Sequence, residues 1–384
     1  MRLLVYCLIG LLFISHDGYC VPSRLFDLVG ELVDATKGAL GSIPSLIPTP
    51  EEFFSLSKNT FIGLPNQVVF AFFNQFCNMA LNSNSVFVKK KFTPKLDEMS
   101  FILHSKSSSI SIPLMKPDEM WKHPEFNTSN PLVIFVTGWK TNLKEEASQA
   151  QNVMAAAYMC RGNVNFVTLD TAAFIDTLYT WSAFNTQTIG EYLSKAVQKL
   201  VESSFPLEFI HLMGHSLGAQ ICGAAGRHFN QNTQLLIARI TGLDSANPCF
   251  NNGGVLEGLF RGDAAFVDVI HTNPGVLGKK EAIGDIDFFC NGVSPLQPGS
   301  FDVSSSHGRA WKYYAESVYP GNENNFLARE CTSITALNNN NCLGPLIPMG
   351  YATPNTTKGN YFLNTNSKSP YGEHSRRDHQ PVCV

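Results

Sequence analysis

The sequence has little charge. Only 15% of its 384 residues are Asp, Glu, Lys or Arg, against about 25% in an average globular protein. The 28 basic and 31 acidic side chains nearly cancel, leaving a formal net charge of −3. Such a chain carries no field strong enough to hold a polyanion. We therefore exclude nucleic acid as a partner and expect any contact with lipid to be apolar.

The sequence also lacks an apolar run long enough to cross a bilayer, which takes about 20 residues. The run Leu3–Ile14 follows a single arginine and precedes small residues at Gly18 and Cys20. A short apolar stretch between one positive charge and a small-residue cleavage site is typical of a secretory signal peptide. We predict that residues 1–20 are this signal, and that a secreted protein without a transmembrane segment starts near Val21.

A third absence is the CxxC pair, so a zinc site is not expected, and no other metal or cofactor is predicted. Two of the ten cysteines lie in the predicted signal, and the remaining eight are Cys77, Cys160, Cys222, Cys249, Cys290, Cys331, Cys342 and Cys383. An even number in an oxidising compartment predicts disulfides, although Cys222 is also a candidate for a buried free thiol. Asn127 and Asn355 begin glycosylation sequons, in keeping with secretion.

The chain divides into two parts by pattern. Residues 21–95 contain a Gly-, Ser- and Pro-rich stretch between short amphipathic pieces, and we predict an N-terminal extension that packs on the main domain. Residues 96–384 alternate strands with helices: strands at 131–136, 163–170, 207–213 and 235–243, helices at 187–203 and 217–229. Buried strands alternating with helices predict an α/β domain, a mostly parallel sheet covered on both faces.

Between a predicted strand and a predicted helix stands a G-x-S-x-G motif, Gly214–Gly218. The motif alone is common, but a strand before it and a helix after it are what a nucleophile elbow requires. Its glycines permit a tight turn and a close approach of the flanking elements. We therefore predict that Ser216 is a nucleophile.

A serine hydroxyl is a weak nucleophile unless a base, oriented by a third group, removes its proton. In the elbow fold the partners follow in the order serine, acid, histidine. Asp244 directly ends a predicted strand and is our candidate acid. Other acids after Ser216 lie in turns or in the next strand region: Asp263, Asp268, Asp285 and Asp287. Asp170 and Asp176 precede the serine and break the order.

Four histidines follow Asp244. We prefer His307 as the base, because it follows the loop 300–306 and opens a predicted helix over 308–318, a position from which it can reach the sheet edge. His271 follows an apolar run and is better explained as a buried structural histidine. His374 and His379 lie in a polar tail. For the oxyanion hole, the amide after the nucleophile is that of Leu217, and Trp139 supplies the second amide from the loop after an early strand.

Several segments in order, VTGW, GHSLGAQICG, TGLDSANPCF, FVDVIHTNPGVLG, GDIDFFCNG and SHGRAWKYYAESV, resemble the secreted pancreatic-lipase-like family, and its insect neutral lipases and sn-1 phospholipases above all. The resemblance runs from about Asn130 to the C-terminus. It implies an α/β-hydrolase fold and hydrolysis of lipid esters through an acyl-enzyme, at an aggregate or membrane surface. It places the triad at Ser216, Asp244 and His307 and the oxyanion amides at Trp139 and Leu217.

The chain departs from this family in ways that bear on substrate. Thr137 stands where the family usually has histidine, and serines stand at 300 and 305, where the family usually ties its lid with two cysteines. The lid that the resemblance implies is short, from Phe301 to Ser306, and its named residues are Phe301, Asp302, Val303 and Ser304. A short lid beside the short loop 273–285 goes loosely with phospholipase activity, so triacylglycerol, phospholipid and galactolipid all stay open. The family pattern also pairs Cys331 with Cys342.

The larger lipases carry a C-terminal sandwich domain that this sequence does not show, so no colipase partner is implied. The resemblance also includes insect yolk proteins that have lost catalytic residues, which makes a lipid-binding storage protein the rival hypothesis. Ser216, Asp244 and His307 are all present, and this favours an enzyme. A hydrolase of small soluble esters is a third interpretation.

Overall fold

The computed structural model describes residues 94–106, 108–139, 144–172, 174–175, 179–250, 256–375 and 382–383. The predicted signal peptide, residues 1–20, and the predicted extension, residues 21–95 except its last two, lie outside these ranges. No helix within them is both long enough and apolar enough to span a membrane.

In the described residues, eleven strands hydrogen-bond into one sheet. They are β1 (Ser100–His104), β2 (Ser109–Pro113), β3 (Leu132–Val136), β4 (Asn165–Asp170), β5 (Ile210–His215), β6 (Arg239–Leu243), β7 (Val267–His271), β8 (Ile286–Cys290), β9 (Leu327–Cys331), β10 (Leu346–Pro348) and β11 (Gly359–Leu363). Across the sheet the order is β10-β9-β11-β8-β7-β6-β5-β3-β4-β1-β2. The central seven, from β11 to β4, run parallel, and the outer pairs are antiparallel.

The central strands are buried on both faces because alternate side chains enter two different cores. In β3, Leu132, Ile134 and Val136 pack into one core, while Val133 and Phe135 pack into the other. All five side chains are buried. Burial on both faces explains why the strand reads as a continuous apolar run rather than as an alternation of apolar and polar residues.

Helices supply the two outer layers. The structure has α1 (Lys144–Arg161), α2 (Tyr179–Glu202), α3 (Leu217–Thr233), α4 (Val303–His307), α5 (Arg309–Val318) and α6 (Ile334–Asn338), with 3-10 turns at Leu96–Glu98, Pro117–Lys122 and Leu207–Phe209. Leu193 of α2 and Ile221 of α3 join the first core, and Met154 of α1 and Trp311 of α5 join the second. The predicted α/β fold, with a mostly parallel sheet covered on both faces, is confirmed.

Some predicted boundaries are wrong. Helix α2 begins at Tyr179, eight residues before the predicted start. Strand β6 begins at Arg239 rather than at 235, because α3 continues to Thr233 and Gln234 ends it in the left-handed conformation, with φ 60°. Residues 235–238 then connect α3 to β6. The predicted helix over 308–318 is correct to one residue, but a further helix, α4, precedes it.

The cysteines separate into bonded and buried thiols. Disulfides join Cys160 to Cys383 and Cys331 to Cys342, and Cys249 is also disulfide-bonded. The even count does not mean that all eight pair, since Cys290 as well as Cys222 is free and buried. Burial raises the pKa of both thiols, so they stay protonated and unreactive at neutral pH.

A buried ion pair joins β6 to β7 near the amino ends of the two strands. Arg239 donates from Nε and Nη2 to the two oxygens of Asp268, both at 2.8 Å. The Thr241 hydroxyl donates to the same carboxylate at 2.7 Å. The Asp268 side chain has no exposure to solvent, so its charge depends on these three donors. Removing one partner of a buried pair leaves the other charge uncompensated.

We predict that Asp268→Asn lowers the free energy of unfolding by about 3 kcal/mol, measured by chemical denaturation. The control is Glu191→Gln, which removes the surface pair between Glu191 and Lys195, both about two-fifths exposed. That change should cost less than about 1 kcal/mol. Equal losses in the two variants would show that the buried pair stabilises the fold no more than a surface pair does.

Candidate active site

The predicted nucleophile elbow lies where β5 ends and α3 begins. In the register of the sheet, His215 of β5 pairs with Leu243 of β6, so the next residues, Ser216 and Asp244, leave adjacent strands at the same edge. Ser216 has φ 56° and ψ −122°, a backbone conformation rarely adopted by L residues. Strain of this kind is found at functional sites when the surroundings impose it.

Close packing imposes this turn. A Cβ on Gly214 would meet the backbone of Gly218, and a Cβ on Gly218 would meet the carbonyl of Val136. Both glycines of the motif are therefore required by the approach of β3, β5 and α3. The Ser216 amide donates to the Leu243 carbonyl at 3.0 Å. The serine is thus fixed against the end of β6.

The loop after β3 lies against the serine. A Cβ on Gly138 would be 2.5 Å from Ser216 Cβ and 3.1 Å from its hydroxyl oxygen. Trp139, the next residue, packs on the first core. Within the described residues neither Ser216 Oγ nor the Leu217 amide makes a hydrogen bond. Leu217 also begins α3, whose N-terminus carries partial positive charge. The surroundings of Ser216 therefore suit a developing negative charge.

Asp244 is fully buried at the end of β6, with φ 44°. Its Oδ1 accepts the backbone amides of Thr272 at 2.8 Å and of Asn273 at 2.9 Å. A Cβ on Gly278 would collide with the carboxylate, so the loop that follows β7 needs glycine there. These contacts supply hydrogen-bond donors to a carboxylate that water cannot reach.

His307 is the third residue of the predicted triad, and it lies on a different element than we predicted. It is the last residue of α4, whereas we expected it to open a helix after an irregular loop. The helix forms because Asp302 caps it: its Oδ1 accepts the Ser305 amide at 2.8 Å. Of the predicted lid residues, Phe301 and Asp302 therefore precede α4, while Val303 and Ser304 belong to its first turn.

His307 Nδ1 lies 2.5 Å from Asp244 Oδ2. A carboxylate can only accept, so Nδ1 carries the proton and Nε2 is the nitrogen left for proton transfer. Ser216, Asp244 and His307 thus meet at one edge of the sheet, although no hydrogen bond joins Ser216 Oγ to His307 Nε2 in the described part of the chain. Such bonds are often long before substrate binds.

The acids that we set aside have other partners. Asp263 pairs with Arg227 at 2.7 Å, and burial raises its pKa to about 6 against the opposing effect of that arginine. Asp268 pairs with Arg239 in the ion pair between β6 and β7. Asp285 accepts the Val267 amide at 3.0 Å. None of these contacts involves a histidine, whereas Asp287 does bind one.

His271 is a buried structural histidine in the interior, as the sequence indicated. Its Nδ1 lies 2.9 Å from the Lys279 carbonyl and its Nε2 lies 2.8 Å from Asp287 Oδ1. Both partners are acceptors, because Asp287 also accepts the amides of Ile283 and Gly284. Both ring nitrogens therefore face acceptors, an arrangement that favours the imidazolium form of His271. Burial lowers its pKa, but the bond to Asp287 and the nearby carboxylates outweigh this and raise it overall.

A raised histidine pKa fixes the sign of its effect on stability. The His271–Asp287 pair contributes fully below about pH 6.5, the unfolded pKa of histidine, and its contribution is lost as pH rises through the folded pKa. We predict that the difference in free energy of unfolding between the wild type and His271→Gln is larger at pH 6 than at pH 9, measured in urea. Histidines common to both proteins cancel in this difference. A difference independent of pH would show that His271 is neutral in the folded state.

The predicted lid is anchored by hydrogen bonds at and beside the positions where the resemblance implies cysteines. Arg309 Nε donates to the Ser300 hydroxyl at 3.2 Å. The backbone amide of Gln297 donates to the Ser306 hydroxyl at 3.0 Å. Between these two anchors Phe301 projects outward, with 96% of its surface exposed. Phe301 therefore belongs to the surface and not to the core.

Sequence reasoning missed two parts of the site. It assigned no role to His215, the first of the two variable residues in the G-x-S-x-G motif. The ring centroid of His215 lies 4.6 Å from that of His307. Sequence reasoning also missed Gly278, whose contact with Asp244 depends on a loop that only the fold brings there. The described residues contain no cluster of His, Cys, Asp or Glu that could hold a metal ion.

A family model described as Lipase matches residues 70–371. Vitellogenin-1 of Ceratitis capitata is 36% identical over 210 residues, which cover 54% of this chain and 48% of that protein. Pancreatic triacylglycerol lipase of Myocastor coypus is 29% identical over 315 residues, which cover 73% of this chain and 67% of that protein. The chain spans about half the length of the vitellogenins that it matches.

Among solved structures, the HSL-homolog EstE7 from a metagenome library aligns with a TM-score of 0.25 and 11% sequence identity. The alignment covers 51% of this chain and 56% of that one.

Proposed function

The chain belongs to the lipase family, and from this premise we propose that it is a serine esterase that hydrolyses the carboxylic esters of lipids, acylglycerol or phospholipid. The observation that carries the proposal is the 2.5 Å contact between His307 Nδ1 and buried Asp244, beside a serine on a strained strand-to-helix turn. An oriented imidazole beside a serine hydroxyl is the requirement for covalent ester hydrolysis.

In the proposed mechanism, His307 Nε2 accepts the proton of the Ser216 hydroxyl as its oxygen attacks the ester carbonyl. Asp244 holds the ring in the required tautomer and stabilises the imidazolium that forms. The negative charge that develops on the carbonyl oxygen is stabilised by the amides of Leu217 and Trp139. His307 then returns the proton to the leaving alcohol.

The second half-reaction repeats these roles. An acyl group remains on Ser216, and water enters where the alcohol left. His307 removes a proton from that water, and the hydroxide adds to the acyl carbonyl. Ser216 then leaves with the proton as the fatty acid is released. One histidine therefore serves as base and acid in both halves.

We propose a lipid aggregate or membrane surface as the physical partner. Phe301 is the most exposed large apolar side chain among the described residues, and half-exposed Leu296 lies five residues before it. Both precede His307 in the chain, Phe301 within the predicted lid and Leu296 just before it. The low net charge of −3 makes such contact apolar rather than electrostatic. The short lid favours phospholipid, and the match to a pancreatic triacylglycerol lipase favours triacylglycerol.

A storage or lipid-binding protein is the second candidate, and the similarity to vitellogenins favours it. The contact between His307 and Asp244 favours the enzyme, because a storage role gives no reason to bury a carboxylate that orients a histidine beside a serine. Activity measurements separate the two candidates.

We predict that the purified protein hydrolyses at least one ester in a panel of triolein, phosphatidylcholine labelled at each position and a short-chain nitrophenyl ester. Ser216→Ala should lower kcat at least about 10³-fold with unchanged folding, because the attacking oxygen is lost. Ser294→Ala, an exposed serine outside the group, is the matched control. Wild-type turnover in Ser216→Ala would contradict the mechanism, and no turnover in any protein would favour storage.

We also propose that the protein is secreted, since residues 1–20 have the pattern of a signal peptide. Asn127 and Asn355 are exposed, and Asn127 Oδ1 accepts the Ser129 amide at 2.9 Å in a surface turn. Expression of the full chain in eukaryotic cells should yield glycosylated protein in the medium. Asn127→Gln and Asn355→Gln should each remove one glycan, seen as two separate shifts in mass. Retention of an unglycosylated protein inside the cell would contradict secretion.

A further inference from the structure

His215 is the last residue of β5 and immediately precedes Ser216. Its ring lies 4.6 Å from the ring of His307, tilted by 42°. Its Nε2 is 3.2 Å from the backbone carbonyl oxygen of His307. The residue before the serine therefore contacts both the ring and the backbone of the histidine that binds Asp244.

The chemistry of this contact fixes a proton. A carbonyl oxygen only accepts, so His215 Nε2 must carry hydrogen and donate it. The Thr272 hydroxyl donates to the same carbonyl at 3.4 Å. Because Thr272 also binds Asp244 through its amide, the His307 backbone is held from the same loop that holds the acid. His307 needs these contacts, since it ends a helix of only five residues.

We propose that His215 is a positioning residue: its bond to the His307 carbonyl and its ring contact keep the His307 imidazole aligned between Asp244 and Ser216. The proposal rests on the function proposed above, in which His307 moves the proton of Ser216. A ring held at one nitrogen by Asp244 can still rotate about that bond, and an error of about 1 Å at the other nitrogen slows proton transfer severely.

The protonation state of His215 agrees with this role. Burial, and then the neighbouring His307, lower the pKa of His215 well below its usual value, against the opposing effect of the bond to the His307 carbonyl. His215 is therefore neutral at pH 7, as its Nε2–H tautomer. A neutral His215 does not repel the positive charge of the imidazolium that forms on His307. Among the described residues, the titratable group bonded to His307 is Asp244, which in turn acts electrostatically on His271 and on the Cys290 thiol.

The test compares two substitutions. His215→Phe keeps a ring but loses the donor, and we expect kcat to fall about 10- to 100-fold with KM within about twofold. His215→Gln keeps an N–H donor and should recover kcat to within about threefold of the wild type. His211→Phe is the matched control on the same strand, since His211 contacts Thr241 at 2.7 Å rather than His307. It should lower the melting temperature and leave kcat within about twofold.

A spectroscopic readout separates this proposal from the proposed function. The His307 proton shared with Asp244 should give a low-field ¹H NMR resonance that persists in His215→Gln and broadens or disappears in His215→Phe. In the wild type, ring ¹⁵N shifts of His215 should report the neutral Nε2–H tautomer. Absence of ester hydrolysis by the wild type defeats the proposed function and leaves these spectra informative. An Nδ1–H tautomer of His215, or a low-field resonance and a kcat both unchanged in His215→Phe, would overturn the positioning role.

Discussion

A carboxylate without contact to water lies at the end of β6, and its charge has to be met by protein groups. Three donors surround Asp244: the Thr272 amide, the Asn273 amide and the imidazole of His307. The first two fix the loop after β7. The third draws in a histidine that lies 63 residues further along the chain. The shape of the whole edge of the sheet follows from satisfying this one group.

The same constraint explains features that otherwise look unrelated. Gly278 lacks a side chain because the loop passes directly against the carboxylate. The His271–Asp287 ion pair lies behind it and binds the Lys279 carbonyl, which holds the far end of that loop. The Ser216 turn is fixed to the segment that follows β6, because the Ala246 amide donates to the Ser216 carbonyl at 3.1 Å. Ser216, Asp244 and His307 are therefore positioned by one connected set of contacts.

Much of this arrangement could be predicted because its information is local. The G-x-S-x-G motif, the strand before it and the aspartate that ends β6 are each legible in a few residues, and parallel strands bring their carboxyl ends together. Helix α4 was not predicted, since three consecutive serines favour a loop, and its capping by Asp302 and the bond from Gln297 to Ser306 appear only in the fold. The roles of His215 and Gly278 depend on contacts between residues distant in sequence. The free thiol of Cys290 likewise depends on burial, which a count of cysteines does not show.

The lid is held by contacts of the same kind. Ser300 and Ser306 bind Arg309 and Gln297, so the segment before His307 is tethered by hydrogen bonds, and Phe301 projects from it.

The proposed mechanism as a whole requires Ser216 to be an activated nucleophile. The most direct test is to treat the protein with a fluorophosphonate and map the adduct by mass spectrometry. The mechanism predicts one adduct, on Ser216, that is absent from the unfolded protein. An unlabelled Ser216 in folded protein, with or without labelling elsewhere, would contradict it.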